Sequence, residues 1–149
     1  MIFKMKHLLL ILTCFITLQS FSQTKFLKDV SSTKEMSLEI TTLFKQNKIN
    51  DAFEKLTPYW PIPENEIETL KEKIIKYTNI ITNRFGQPFN YLKVKDESIG
   101  DIAKRETYLI QYENTGVRLI FTYYKNKNGW IVNAFKWDDN FTEEFVTTK

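Results

Sequence analysis

Three runs in the last third of the chain, Arg105 to Glu113, Val117 to Lys125 and Trp130 to Trp137, are dense in Tyr, Phe, Trp, Ile and Val. These residues suit a pleated, half-buried surface, and alternation within the runs has the period of a strand. The separators are Glu113-Asn114-Thr115-Gly116 and Asn126-Lys127-Asn128-Gly129. Both end in Gly, which takes the positive φ that a hairpin loop needs. The pattern predicts a three-strand antiparallel meander. A fourth strand is expected before it at Phe89 to Glu97, where Tyr91, Lys93 and Lys95 alternate with Leu92 and Val94. Ser98-Ile99-Gly100-Asp101 is the loop between them.

Upstream the apolar spacing becomes helical. Ser32 followed by Glu35 is a capping-box pattern. It predicts a helix to about Gln46, with Met36, Ile40, Leu43 and Phe44 on one face. Asn47 to Asn50 breaks it, and Asn50 or Asp51 can cap a short second helix carrying Ala52, Phe53 and Leu56. Pro58-Tyr59-Trp60-Pro61-Ile62-Pro63 is a stiff corner. Its aromatic rings either form a docking loop or, with Trp60 turned inward, plug the end of a core. Pro63 suits the first turn of a third helix running to about Phe85. Ile67, Leu70, Ile74, Tyr77 and Ile81 form its buried stripe, and Gly86 and Pro88 end it.

Register decides which face of the sheet is inside, because a slip of one residue turns every side chain over. A three-residue loop at Lys127-Asn128-Gly129 places Asn126 opposite Trp130. Tyr123 then faces Asn133, Phe121 faces Phe135, and Leu119 faces Trp137, with Ile131 on the same side. Apolar matching adds Tyr108, Ile110 and Tyr112. The other face carries Arg118, Ile120, Thr122, Tyr124, Val132, Ala134 and Lys136. An amphipathic sheet must be covered, and three helices precede it. The expected fold class is α+β: N-terminal helices packed on a curved C-terminal antiparallel sheet, with the longest helix against the sheet.

Residues 1–22 stand apart from this plan. Lys4 and Lys6 precede an apolar run from Leu8 to Leu18, too short to span a bilayer, and Ser20-Phe21-Ser22 suits a signal peptidase. The expectation is an exported protein, periplasmic or secreted, cleaved before Gln23. Residues 23–31 would form a loose lead-in and residues 32–149 a single domain. Cys14 follows Ile11-Leu12-Thr13, but Thr13 and the continuing apolar run argue against a lipid anchor there.

Removing the signal changes the chemistry available. His7 and Cys14 are the only histidine and cysteine among the 149 residues. Without them a Ser-His-Asp triad, a Cys-His pair and a His- or Cys-ligated zinc site are excluded. The net charge falls from +3 to +1, because the segment holds two lysines and no acid. So small a charge gives no argument for nucleic acid. Asp138-Asp139-Asn140 is rich in oxygen but lacks calcium-loop spacing and reads as a strand-end turn. No cofactor or metal is expected.

The Gly86-Gln87-Pro88 break, Tyr108 to Tyr112, Phe121-Thr122-Tyr123-Tyr124 and the Gly129-Trp130 to Trp137-Asp138 ending resemble small bacterial members of the nuclear transport factor 2-like (cystatin-like) superfamily. The resemblance covers Ser32 to Asp138 in plan. It implies a curved sheet cupping a helix, often with a pocket between them. Enzymes of that superfamily, such as ketosteroid isomerases, use Tyr and acidic residues in the pocket, but their motif maps onto no positions here.

A ligand would be expected between the helix of about Glu64 to Phe85 and the inner sheet face, near Glu106, Tyr108, Tyr123 and Asn133. It would be small, cyclic or partly aromatic, and neutral or cationic beside Glu106. The plainer reading of the same residues is an ordinary core whose Tyr hydroxyls reach its rim and whose Asn133 bonds to backbone. Two functions follow: a non-catalytic binding or interaction module of the cell envelope, or a small pocket enzyme using carboxylate and tyrosine. The partner would be a small molecule or an envelope protein.

Overall fold

The computed structural model describes residues 24–145. The expected signal segment, Cys14 and the expected cleavage point before Gln23 lie outside the described residues. Three helices, α1 (Val30–Lys45), α2 (Ile49–Leu56) and α3 (Glu64–Phe85), precede four strands. These are β1 (Pro88–Ile99), β2 (Ala103–Tyr112), β3 (Gly116–Asn126) and β4 (Gly129–Asp138). They pair antiparallel in the order β1-β2-β3-β4, a simple meander. The α+β class and the four strands agree with the alternation pattern. No helix among the described residues is long and apolar enough to cross a membrane.

The start of the chain departs from expectation. Helix α1 is capped by Asp29, whose carboxylate accepts from the Ser32 N–H and hydroxyl, each at 2.9 Å. The Ser32 hydroxyl is therefore a donor to the cap and not the cap itself. The lead-in is also not loose. Leu27 exchanges two backbone hydrogen bonds with Trp130 at the start of β4, at 2.8 and 2.9 Å, and its side chain is buried. Helix α2 begins at Ile49, earlier than Asn50 or Asp51 could cap, and has no side-chain cap.

The sheet's inner face carries Glu106, Tyr108, Ile110 and Tyr112 of β2, Val117, Leu119, Phe121 and Tyr123 of β3, and Val132 and Phe135 of β4, all buried. Phe135 is a hub: the rings of Phe121, Phe44, Phe53 and Trp60 stand 5.2, 5.7, 6.0 and 6.5 Å from it. Trp60 therefore plugs the core, as the inward reading of the proline-rich corner required.

The helix nearest the sheet is α1, lying against β1, β2 and β3, and not the longest helix. The reason is a stripe of small side chains. Thr33, Ser37 and Thr41 recur every fourth residue and are fully buried beside Met36, Ile40 and Phe44. Thr33 and Thr41 donate to the carbonyls of Val30 and Ser37, so burial leaves neither hydroxyl unpaired. Small residues allow close approach without stranding polar groups. Helix α3 buries Ile67, Ile74 and Thr78 but turns Tyr77 partly to solvent, where it stacks on Trp137 at 6.2 Å. Its C-terminus is tied to the β2–β3 turn by the Asn114 N–H, which donates to the Phe85 carbonyl at 3.0 Å.

Candidate functional site

Three of the four expected site residues meet beneath α1. Glu106 and Tyr123 are fully buried on the inner face, and Tyr108 lies beside them, its ring 6.0 Å from Phe121. The Tyr123 hydroxyl shares a 2.7 Å hydrogen bond with Ser37 Oγ of α1. The cluster therefore faces α1 rather than α3.

Asn133 is exposed and takes no part. The β3–β4 hairpin closes through a two-residue turn, Lys127-Asn128, with Asn126 paired to Gly129. Asn126 Oδ1 accepts from the N–H groups of Asn128 and Gly129, at 2.8 and 3.2 Å, and Gly129 has φ 141°. This tighter turn advances β4 by one residue, so Val132 and not Asn133 pairs with Tyr123. The register shift falls between Thr122 and Tyr123, where Asn133 is the extra residue of a bulge. Beyond it the expected pairs Phe121–Phe135 and Leu119–Trp137 are restored. Val132 thus points inward, and Ile131 pairs with the exposed Tyr124 on the outer side.

A second bulge adds Asp96 to the inner face, where strict alternation would put Lys95. Lys93 pairs with Tyr108 on the inner face, and the register shift between Lys93 and Lys95 turns Lys95 outward and places Asp96 opposite Glu106. Lys93 Nζ donates to Glu106 Oε1 at 2.7 Å and to Asp96 Oδ2 at 2.8 Å. Lys104 also pairs with Asp96, and Lys34 of α1 stands 3.6 Å from it. Glu106 Oε2 is buried with no hydrogen-bond partner. The only earlier signal for this network was the odd lysine in a half-apolar strand.

Electrostatics follow from burial and pairing. Burial opposes the charged form of Asp96, but hydrogen bonds from Lys104 and Lys93 outweigh it and hold its pKa at about 2. Burial likewise opposes Lys93, yet hydrogen bonds to Asp96 and Glu106 leave its pKa raised. Burial, helped by the Glu106 charge, pushes the Tyr108 phenol up to about 12. Burial raises Tyr123 as well, against the hydrogen bond to Ser37. Both phenols thus stay protonated near neutral pH. They can donate or accept hydrogen bonds but do not supply a base.

Above this cluster, between α1 and β1, lies an open groove of about 360 Å³, lined by Lys34, Glu35, Leu38, Tyr91, Lys93 and Tyr108. It is wide open at the surface. No group of three or more His, Cys, Asp or Glu side chains that could hold a metal ion occurs among the described residues. Asp138-Asp139-Asn140 forms a turn, with the Asn140 N–H donating to Asp138 Oδ1 at 3.2 Å. No protein-family model matches the chain, and comparisons with curated proteins and with solved structures give no match.

Proposed function

We propose that the chain is an exported, non-catalytic binding or interaction module of the cell envelope. The observation that carries this reading is that the buried polar groups beneath α1 are paired with one another. Tyr123 is bonded to Ser37, Glu106 is paired with Lys93, and both are fully buried. A reaction site needs room for substrate beside its reacting groups, and here those groups already hold each other. The order of helices followed by a meander resembles the nuclear transport factor 2-like plan, and membership of that superfamily is part of the proposal.

A second reading keeps a small-molecule role for the groove. Glu106 Oε2 lacks a partner, which favours a ligand or water presenting one hydrogen-bond donor. Native mass spectrometry and cross-linking of the protein purified from its own host decide between them. The interaction reading expects a chain starting at Gln23, no bound small molecule and one stoichiometric envelope protein. A retained small molecule would favour the groove reading, and an uncleaved cytoplasmic chain would overturn the exported module.

A further inference from the structure

The outer face of the sheet is covered in an unexpected way. Arg118 of β3 and Thr107 of β2 point away from the helices, yet are only 1% and 2% exposed. After β4 the chain turns back across this face. Arg118 Nη1 donates to Glu144 Oε1 at 2.6 Å and more weakly to Glu143 Oε2 at 3.4 Å. Lys95 of β1 donates to the Glu143 carbonyl at 2.7 Å and stands 2.8 Å from Glu144 Oε2. A strap from Asn140 to Phe145 thus leaves β4, passes β3 and β2, and ends against β1. A β-carbon on Gly116 would meet Leu109 Cδ1 at 3.2 Å and Phe141 Cε1 at 3.4 Å, so Phe141 sits beside Leu109 over that glycine.

Arg118 is held independently of the strap. Asp138 of β4 accepts from Nε and Nη2 in a fork with both bonds at 3.0 Å. Only the third corner of the guanidinium serves the strap, so the fork stays oriented when the strap lifts. The floor beneath carries Arg118, Lys95 and Lys136 against Asp138, while the strap region carries Asp139, Glu143 and Glu144. The strap is held mainly by contacts between charges, with the half-buried Phe141 beside Leu109 as its apolar contact. Phe145 is 72% exposed.

We propose that the outer-face cradle of Arg118, Lys95 and Leu109 is a peptide-binding site that the strap occupies in cis. Its partner in trans is an acidic segment carrying an aromatic residue, the chemistry the strap itself displays. The inference rests on reading the chain as an interaction module and names the surface that would serve it.

The probe is a synthetic peptide of the sequence Asp139–Phe145, blocked at both ends, added to the full-length chain. Glu144→Lys sets a cation against Arg118 and evicts the strap. The folded variant should bind the peptide saturably, with affinity falling as salt rises from roughly 0.05 to 0.5 M. The wild-type chain at the same concentration should not bind it. Binding should be lost when both glutamates of the peptide become glutamine, and when Lys95→Ala is added to the variant. A folded Glu144→Lys chain that fails to bind, or that binds the glutamine peptide equally well, overturns the proposal. Hydrogen exchange in the wild-type chain gives a second test that needs no variant. The Glu144 and Phe145 amides, which donate to Phe141 and Thr142 carbonyls, should exchange far faster than β3 amides. Protection equal to that of β3 would overturn the strap as a detachable element. Failure of these tests would leave the wider interaction reading to the cross-linking experiment.

Discussion

Ser37 of α1 and Tyr123 of β3, 86 residues apart in the chain, share a buried hydroxyl–hydroxyl hydrogen bond of 2.7 Å. It ties the first helix to the centre of the sheet. Removing one partner strands the other in the core, at a cost of about 1–3 kcal/mol. Ser37→Ala and Tyr123→Phe should each lower stability by this order, and the double variant by less than their sum. Urea unfolding of the four proteins checks it. Strict additivity would mean that the two hydroxyls are not coupled.

Phe121 and Thr122 are adjacent but face opposite sides. Phe121 is fully buried against Phe135, while Thr122 pairs with Ala134 on the outer face. Phe121→Ala should cost about 3–5 kcal/mol and Thr122→Ala well under that. Similar shifts in urea midpoint for the two variants would contradict this face assignment.

The Lys93–Glu106 pair is buried at its acidic end, since the Glu106 side chain is inaccessible and Lys93 is 31% exposed. Breaking a buried pair costs about 3–5 kcal/mol because one charge is left alone. Partial exposure of Lys93 places Lys93→Ala near the lower end. Glu106→Gln, which removes the charge and keeps the shape, should cost less. The joint change Lys93→Met with Glu106→Leu should recover most of the loss. A Lys93→Ala variant as stable as Glu106→Gln would refute the pairing's importance.

Asp96 makes stability depend on acid. Its folded-state pKa of about 2 lies below the unfolded value of 3.8. A lowered pKa contributes stability that is complete above the unfolded value and is lost as pH falls toward the folded one. The wild-type chain should therefore lose stability between about pH 4 and pH 2 more steeply than Asp96→Asn. Equal slopes in chemical denaturation across that window would show that Lys104 and Lys93 do not hold the carboxylate charged.

Much of the architecture was legible in local chemistry. Aromatic and β-branched runs specify β2, β3 and β4. Asn126 and Gly129 mark a hairpin, prolines mark the corner at Trp60, and Gly86 ends α3. Alternation also places Glu106, Tyr108 and Tyr123 on one face, because neighbouring strand residues must point to opposite sides. Such signals act over a few residues, so one chain suffices to read them.

Tertiary structure decided what depends on closure and contact. The choice of a two-residue turn, made by Asn126 Oδ1, placed a bulge at Asn133 and turned that residue out of the site. The bulge between Lys93 and Lys95 placed Asp96 opposite Glu106, beside Lys93, and sent Lys95 to the strap. Each bulge inverts the faces of everything beyond it, and its cost is set by partners far along the chain. Likewise α1 rather than the longer α3 came to lie on the sheet, because Thr33, Ser37 and Thr41 are small and satisfy their hydroxyls once buried. The length and apolar stripe of a helix state only that it needs cover. How closely it can approach a sheet depends on the surface it meets there.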